Sequence, residues 1–456
     1  MWVTGANVAL LTDLYELTMA ASYLEHGMNH PATFDLFVRH LPANRNFLIA
    51  CGLDDALAYL EGLHFDNEAI AYLRSLGLFS EHFLAYLQRM RFTGEVWAMA
   101  EGEAYFPEEP VLRVTAPLIE AQVVETFLLN CLNFQSLIAS KAARIAIACG
   151  ERQFVDFSPR RDHGADAALK AARASYIGGA AGSSNVLAGR VYGIPVSGTM
   201  AHAFVMSFER EMDAFVAFAR TFPDRATLLI DTYDTLEGAR NAVRTAKLLE
   251  PEGVRVQGVR LDSGNIAELA AGVRCILDEG GCDHVQIFAS GDLDEYRIAA
   301  LLAAGAPVDA FGVGTQLGVS ADAPALGGVY KLVDDAHGPK VKLSAGKRTL
   351  PGRKQVYRIE RGDDSAHDVI GLEDEAPPAG GRPLLQPVMA NGRRASAPGP
   401  LVAARERCRQ ALDALPPRLR ALEVIVPGHP VRYSGMLTRL LEVETARRTP
   451  PDRPTV

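Results

Sequence analysis

Cysteine is scarce and dispersed. Six occur in 456 residues, at Cys51, Cys131, Cys149, Cys275, Cys282 and Cys408. None forms a Cys-x-x-Cys pair or a Cys/His knuckle, which argues against a disulfide scaffold or structural zinc and for reduced, mostly buried thiols. An excess of positive charge is also missing. Lys and Arg number 46 against 55 Asp and Glu, a formal net charge of -9. A general nucleic-acid or anionic-membrane surface is therefore not expected, whereas a local basic pocket for an anionic small molecule is compatible with this balance. No apolar run is long enough to span a bilayer, and the opening "MWVTGANVAL" lacks the basic start and cleavage site of a signal peptide. On these absences a soluble, cytoplasmic protein is expected. What is present is apolar: 48% hydrophobic and 22% charged residues, enough for a large core, in a length that suits two or three domains.

The N-terminal third mixes helix and strand. "LLTDLYELTMAASYLEH" has apolar residues at helical spacing with Thr12 as N-cap. "TFDLFVR" and "NFLIACG" read as strands, "EVWAMAEGEAYF" and "VLRVTAPL" as a further pair joined by "PEEP". A long, buried helical stretch runs from Ile119 to about Ile147. From Gln153 the rhythm changes. "QFVDF", "IPVSG", "ATLLID", "VQGVRLD", "VQIFASG" and "VDAFGVG" are short β-rich runs, most of them followed by a helical pattern. Their ends lie roughly 25–40 residues apart, the spacing of repeated βα units. That argues an α/β fold on a parallel sheet, open or closed into a barrel. Asp156, Ser197, Asp231, Asp262, Ser290 and Thr315 fall at the C-terminal ends of these runs, where parallel α/β folds keep their active sites. After Tyr330 the pattern loosens into Pro-, Gly- and charge-rich segments, and "RRTPPDRPTV" reads as a frayed tail.

Four groups of residues invite chemistry. "VRLDSGN" sets Arg260 and Asp262 two apart at a strand end, so both point to one side. An arginine fork grips a carboxylate or phosphate, and an aspartate accepts from vicinal sugar hydroxyls; a structural ion pair is the alternative. "FASGDLDEY" and "FGVGTQLG" are Gly-containing turns after late strands. They make Ser290, Gly291, Asp292, Gly314 and Thr315 candidates for phosphate binding through backbone N–H groups, or simply turns. "DFSPRRDHG" places Phe157 beside Arg160 and Arg161, which suits a flat anionic ligand or a solvated basic loop. In "IPVSGTMAHAFV", His202 opens a helical pattern whose apolar stripe is Phe204, Phe208, Met212, Phe215 and Ala219. His202 lies opposite that stripe, near a helix start that favours an anion.

Taken in order, these pieces resemble the nicotinate phosphoribosyltransferases. The resemblance rests on "TDLYELTM", "EGEAYFPEEPVLRV", "ETFLLNCLNFQSLIASKAARI", "GSSNVLAGRVYGIPVSGTMAHAFV", "RLDSG", "ASGDLDEY", "FGVGTQL" and "PGRKQVYR". It implies an irregular parallel β/α barrel of the type II phosphoribosyltransferases. An additional α+β domain is built from the N-terminal region and C-terminal segments. The expected division is 1–130, an N-terminal α+β domain; 131–335, the catalytic barrel; and 336–456, packing partly back on the first. It implies a glycosyltransferase and ligase of NAD biosynthesis. Nicotinate displaces pyrophosphate from 5-phosphoribosyl 1-pyrophosphate with Mg²⁺, coupled to ATP through a phosphohistidine at His202. By the same resemblance Tyr15 stacks on the pyridine ring from the neighbouring subunit of a homodimer with shared sites, and Phe157 covers the other ring face. Thr199 and Arg260 contact nicotinate, while Arg160 and Arg161 help to hold its carboxylate. Asp262 binds the ribose hydroxyls, with Asp231 also on the substrate side. Ser290 to Asp292 and Gly314–Thr315 bind the 5′-phosphate, and Arg353 and Lys354 meet phosphates or ATP. Departures are Ser158, where the family commonly has Gly, Pro159 beside it, and Ala203 after the histidine.

Rival readings differ at single residues. A nicotinamide phosphoribosyltransferase would place an aspartate near Ser184 to accept from the amide, and Ser184 with Arg160 and Arg161 favours the acid. A decarboxylating quinolinate enzyme is usually shorter and lacks the phosphorylated histidine. A catalytically silent nucleotide-binding homologue would bind ligand without releasing pyrophosphate. A generic aldolase-type barrel needs a catalytic lysine or an acid/base pair at a strand end, and no lysine stands at the expected strand ends.

Overall fold

The computed structural model describes residues 3–344, 346–360 and 365–449. Of the expected frayed tail "RRTPPDRPTV", Arg447 and Arg448 instead end the helix Gly435–Arg448, and the residues from 450 onward lie outside the described residues. The chain forms two compact units. One comprises Met1–Leu137 and Ala325–Val456, the other Ile138–Pro324. The helix Glu125–Cys149 carries the chain from the first into the second.

The first unit is α+β. Its seven-stranded antiparallel sheet interleaves both ends of the chain: Pro31–Val38 pairs on one side with Gly328–Asp335 and on the other with Leu112–Pro117, and Glu95–Met99 pairs with Leu385–Ala390. Alternating side chains of Pro31–Val38 are buried on both faces, with Phe34 stacked on Tyr330. The first helix covers Leu14–Glu25. Its cap position is Asp13, not Thr12; the Thr12 hydroxyl instead bonds Glu16 and the carbonyl of Val123. Glu16 is fully buried, and burial above all pushes its carboxyl up to about 7 against the hydrogen bonds of Thr12 and Thr126.

The second unit is the irregular parallel β/α barrel. Its six strands are β1 (Gln153–Asp156), β2 (Gly182–Ser183), β3 (Ala226–Leu229), β4 (Val256–Leu261), β5 (Gln286–Ala289) and β6 (Ala310–Val313). They pair in the order β2-β1-β6-β5-β4-β3, every neighbouring pair parallel. The strands hold because their apolar residues are covered on both faces, as parallel sheets require. Leu228, Val259, Leu261, Ile287, Ala289, Phe311 and Val313 are all essentially inaccessible. Each such Leu, Ile, Val or Phe side chain stabilises by about 1.5–3 kcal/mol, so Leu261→Ala would cost about 2–5 kcal/mol. Helices follow most strands, and side-chain caps mark where loop becomes helix. Asp234 accepts from the N–H of Glu237 at 2.7 Å, Asp294 from that of Arg297 at 2.8 Å and Asn185 from that of Ala188 at 3.1 Å. Each cap is worth about 1 kcal/mol and fixes the strand-end loop before it.

Two local expectations fail. "IPVSG" is not a strand: only Val196 makes a single parallel bridge, to Ser183, and the edge strand is β2. The helical pattern from His202 is not one helix either. It splits into His202–Met206 and Glu211–Thr221. The Ser207 hydroxyl takes the Phe204 carbonyl at 2.7 Å, a local bond that competes with continued helix. Glu211 and Asp213 then open the next helix, where acidic side chains suit its positive end. The single apolar stripe opposite His202 therefore does not exist as such. Five of the six cysteines are buried and none is joined in a disulfide. Among the described residues no helix is long and apolar enough to cross a membrane.

Candidate active site

All six barrel strands end in loops on one side, and three of these loops, after β1, β4 and β5, meet at Arg260 together with the segment that precedes His202. The Arg260 side chain leaves β4 and is held by three side chains and, at 3.4 Å, by the Met200 carbonyl. Nε donates to the Ser290 hydroxyl at 2.8 Å, Nη1 to the Thr199 hydroxyl at 3.0 Å, and Nη2 to Asp262 Oδ1 at 2.6 Å. Its guanidinium carbon sits 5.3 Å from the centre of the Phe157 ring, a cation–π contact. The Phe157 ring in turn leans on Phe288, centroids 5.6 Å apart. A guanidinium fixed this way loses little entropy when an anion arrives.

Asp262 is shared between partners. The Ser290 hydroxyl donates to its Oδ1 at 2.5 Å, and its own N–H donates to Asp231 Oδ2 at 2.8 Å. Burial raises the proton affinity of Asp262, but Ser290, Arg260 and His202 outweigh it and hold the carboxyl below its usual value. Asp231 Oδ2 also accepts from the Ser263 hydroxyl at 2.7 Å, while its Oδ1 is buried with no hydrogen-bond partner. His202 is half-buried. Nδ1 lies 3.2 Å from the Thr232 hydroxyl and Nε2 lies 3.9 Å from Asp262 Oδ2.

Gly291 shows why the turn after β5 needs glycine. Its φ is +95°, and a Cβ would stand 2.0 Å from the carbonyl oxygen of Asp262. Asp292 follows with φ +49°, and its carbonyl accepts from Arg297 at 2.8 Å. Gly314 precedes the short helix Thr315–Gly318, and the N–H of Phe157 donates to Val313 at 2.8 Å just before it. Ser184 is half-buried past β2, its N–H on the Asp156 carbonyl at 2.8 Å.

Thr199, His202, Phe157, Asp231, Arg260, Asp262, Ser290 and Gly291 thus form one contiguous group. Asp292, Gly314, Thr315 and Ser184 stand on the same ring of strand-end loops without direct contact to Arg260. Arg160 and Arg161 are exposed in the loop after β1. Tyr15 belongs to the first unit, 47% exposed on Leu14–Glu25. Lys354 does not meet phosphate. Its ammonium is buried on Asp35 at 2.8 Å and on the carbonyls of Leu350 and Gly352. Arg353 is engaged by Glu95 and Glu373.

Sequence reasoning missed several supports and placed Asp156 at a strand end without giving it a role. Thr232 and Ser263 touch the group directly. Asp156 is buried beneath it, accepting from the N–H of Ser158 at 2.9 Å and the Ser183 hydroxyl at 2.7 Å. Lys141 and Arg144, both buried, grip Glu295 at 2.6 and 2.9 Å at the start of the helix after the Ser290 turn. Apart from the Asp156–Ser158 turn, no spacing rule announces such contacts, because the partners lie on different elements.

Comparison with known proteins decides the family. Residues 10–133 match the model of the nicotinate phosphoribosyltransferase N-terminal domain, and residues 152–332 that of the nicotinate phosphoribosyltransferase family. The chain belongs to the nicotinate phosphoribosyltransferase family. The nicotinate phosphoribosyltransferase pncB2 of Mycobacterium tuberculosis is 51% identical over 449 residues, 97% of this chain and 96% of that protein. The nicotinate phosphoribosyltransferase of Bacillus subtilis is 45% identical, covering 81% and 77%. Among solved structures, human nicotinic acid phosphoribosyltransferase superposes with a TM-score of 0.84 at 30% identity, over 95% of this chain and 99% of that one. A nicotinate-nucleotide pyrophosphorylase from Pyrococcus furiosus gives 0.74 at 27% identity, over 91% and 98%. The family's barrel is the unit that holds the Arg260 group.

Proposed function

We propose that the chain joins nicotinate to 5-phosphoribosyl 1-pyrophosphate, forming nicotinate mononucleotide and pyrophosphate. The observation that carries this reading is Arg260, held by Thr199, Ser290 and Asp262 over the face of Phe157. An aromatic face beside a fixed cation suits a flat anionic ring. An aspartate two residues on suits ribose hydroxyls. The glycine turns after β5 and β6 suit the 5′-phosphate.

The chemistry asks little proton transfer of the protein. The pyridine nitrogen already carries its lone pair at neutral pH. It attacks C1′ while the C1′–O bond breaks and the electron pair leaves with pyrophosphate. The protein's contribution is alignment and charge placement as positive character grows at C1′. Asp262, kept ionised by its partners, is the group that faces this charge. Phe157 and Thr199 hold the ring, and Arg160 and Arg161 meet its carboxylate. Tyr15 closes the other face from a second copy of the chain in a homodimer.

Mg²⁺ fits the donors available. It takes hard oxygens, keeps several waters and needs only one or two carboxylates beside substrate phosphates. Asp231 Oδ1, buried and without a partner, and Asp262 Oδ2 are such oxygens. Among the described residues no cluster of three or more His, Cys, Asp or Glu could hold a metal by itself. When bound, the ion neutralises charge on the departing pyrophosphate.

ATP coupling enters through His202. Thr232 can accept from Nδ1–H, and that tautomer leaves Nε2 with its lone pair, open to solvent and 3.9 Å from Asp262. Nε2 takes the γ-phosphoryl group, ADP leaves, and water later releases phosphate. Competition between the two bases tests the main reading. Purified protein with 5-phosphoribosyl 1-pyrophosphate, Mg²⁺ and ATP is expected to use nicotinate in preference to nicotinamide. Preferential use of the amide would overturn the assignment of the acid. His202→Ala is expected to abolish acid-labile labelling from γ-labelled ATP, and unchanged labelling would refute the histidine's role.

A further inference from the structure

The loop that carries Arg160 and Arg161 also contains a carboxylate, Asp162, that avoids both. An exposed aspartate beside two arginines would ordinarily pair with one of them. Asp162 turns inward. Its Oδ2 accepts the Ser158 hydroxyl at 3.1 Å, and its Oδ1 is buried with no hydrogen-bond partner. That oxygen packs on Gly318, where a Cβ would stand 1.8 Å away. Burial first, then Asp156, raise its proton affinity against the hydrogen bond of Ser158. Ser158 is itself fully buried. Its N–H donates to Asp156 Oδ1 at 2.9 Å, and Asp156 Oδ2 accepts Ser183 from the neighbouring strand. The chain Asp162–Ser158–Asp156–Ser183 therefore ties the arginine loop to two strand ends. The turn is closed by the N–H of Arg161 on the Ser158 carbonyl at 2.7 Å.

We propose that Ser158 and Asp162 are positioning residues that set nicotinate affinity by keeping Asp162 sequestered, so that Arg160 and Arg161 stay unpaired for the substrate carboxylate. This rests on the reading that those arginines meet that carboxylate. Ser158 matters as a hydroxyl because it holds Asp162 in place; Gly318 matters as a glycine because it leaves Asp162 room. Once released, Asp162 becomes an internal competitor for the two guanidinium groups, a like charge in the substrate's seat.

The test is a set of steady-state measurements with both substrates varied. Ser158→Ala keeps the N–H bond to Asp156 but removes the clamp, and Gly318→Ala crowds both ends of the clamp, its Cβ standing 1.8 Å from Asp162 Oδ1 and 2.6 Å from Ser158 Oγ. Each is expected to raise KM for nicotinate about 10-fold while KM for 5-phosphoribosyl 1-pyrophosphate stays within about twofold. Adding Asp162→Asn to Ser158→Ala is expected to restore KM for nicotinate to within about threefold of the unaltered protein, because asparagine cannot form the competing ion pair. Arg160→Ala and Arg161→Ala serve as the reference. If they raise KM for nicotinate but neither Ser158→Ala nor Gly318→Ala does, the positioning role is overturned. If Ser158→Ala raises KM and Asp162→Asn fails to restore it, the effect is loop disorder and the competition model is overturned. If the arginine variants change nothing, the carboxylate reading falls and this proposal falls with it.

Discussion

Arg260 and Arg358 each hold an aspartate through a guanidinium, one in the barrel unit and one in the α+β unit, and their surroundings could hardly differ more. Arg358 is buried with both oxygens of Asp368 occupied: Nε on Oδ1 at 3.0 Å and Nη2 on Oδ2 at 2.7 Å, with His429 Nε2 3.3 Å from Oδ1. Its Nη1 reaches Glu103 at 2.9 Å, and its guanidinium lies over Phe106, which stacks on His429. Burial pushes the Asp368 carboxyl up, yet Arg358 and the hydrogen bonds of His429 and Glu109 hold it well below the usual carboxylate range. The partners of the Arg358 guanidinium all lie inside the cluster, which ties together residues far apart in the chain, while Glu109 Oε1 and His429 Nδ1 stay buried without a hydrogen bond. Around Arg260 the side chains of the pair remain 12% and 31% exposed. Asp262 Oδ2 has only the distant His202, and Asp231 Oδ1 has no donor. A closed cluster is architecture. An open one with acceptors to spare is a place for a ligand.

Variants that separate the two clusters should behave in opposite ways. Arg260→Ala is expected to lower kcat/KM about 100- to 1,000-fold, as losing a preorganised charge does, with thermal denaturation nearly unchanged; a large fall in Tm would mean this cluster is structural as well. Arg358→Met is expected to cost about 3–5 kcal/mol in urea denaturation, because it strands the buried Asp368 without its cation and leaves Glu103 to Arg382 alone; an unchanged midpoint would show the closed cluster to be dispensable. Asp231→Asn keeps an oxygen for the Asp262 N–H but loses its charge. The Mg²⁺ concentration for half-maximal rate is expected to rise about 10-fold, and an unshifted Mg²⁺ titration would remove Asp231 from the ion's seat.

The smallest effect concerns pH. The Asp162 carboxyl is raised from 3.8 to about 6, by burial first and Asp156 second. Its neutral form is therefore favoured in the folded state. The stability this confers is complete below the unfolded value and is lost as pH rises through about 6. Asp162→Asn removes that dependence. The Tm of the variant relative to the unaltered protein is expected to be higher at pH 7.5 than at pH 5 by about 1–2 °C. An equal difference at both pH values would contradict the raised proton affinity.

Much of the barrel was legible from the residues because its strands are short, apolar and separated by helical patterns. The polar residues that end them, Asp262, Ser290 and Thr315 among them, therefore mark one rim. The misreadings share a cause: partners distant in sequence. "PGRKQVYR" looks like a phosphate-seeking run, but Asp35, on a strand of the other chain end, draws Lys354 into the core. His202 was read on an unbroken helix, and one hydroxyl, Ser207, ends that helix after a single turn. Ser158 and Asp162 carry no recognisable spacing signal. Their meaning depends on Gly318, more than a hundred residues away, leaving room for a carboxylate.

The central claim is that the open cluster around Arg260 joins nicotinate to a phosphoribosyl group. The most direct measurement gives the purified chain nicotinate, 5-phosphoribosyl 1-pyrophosphate and Mg²⁺, with and without ATP, and follows both products together. Nicotinate mononucleotide and pyrophosphate are expected to appear in equal amounts. Neither product above background under either condition would contradict the account.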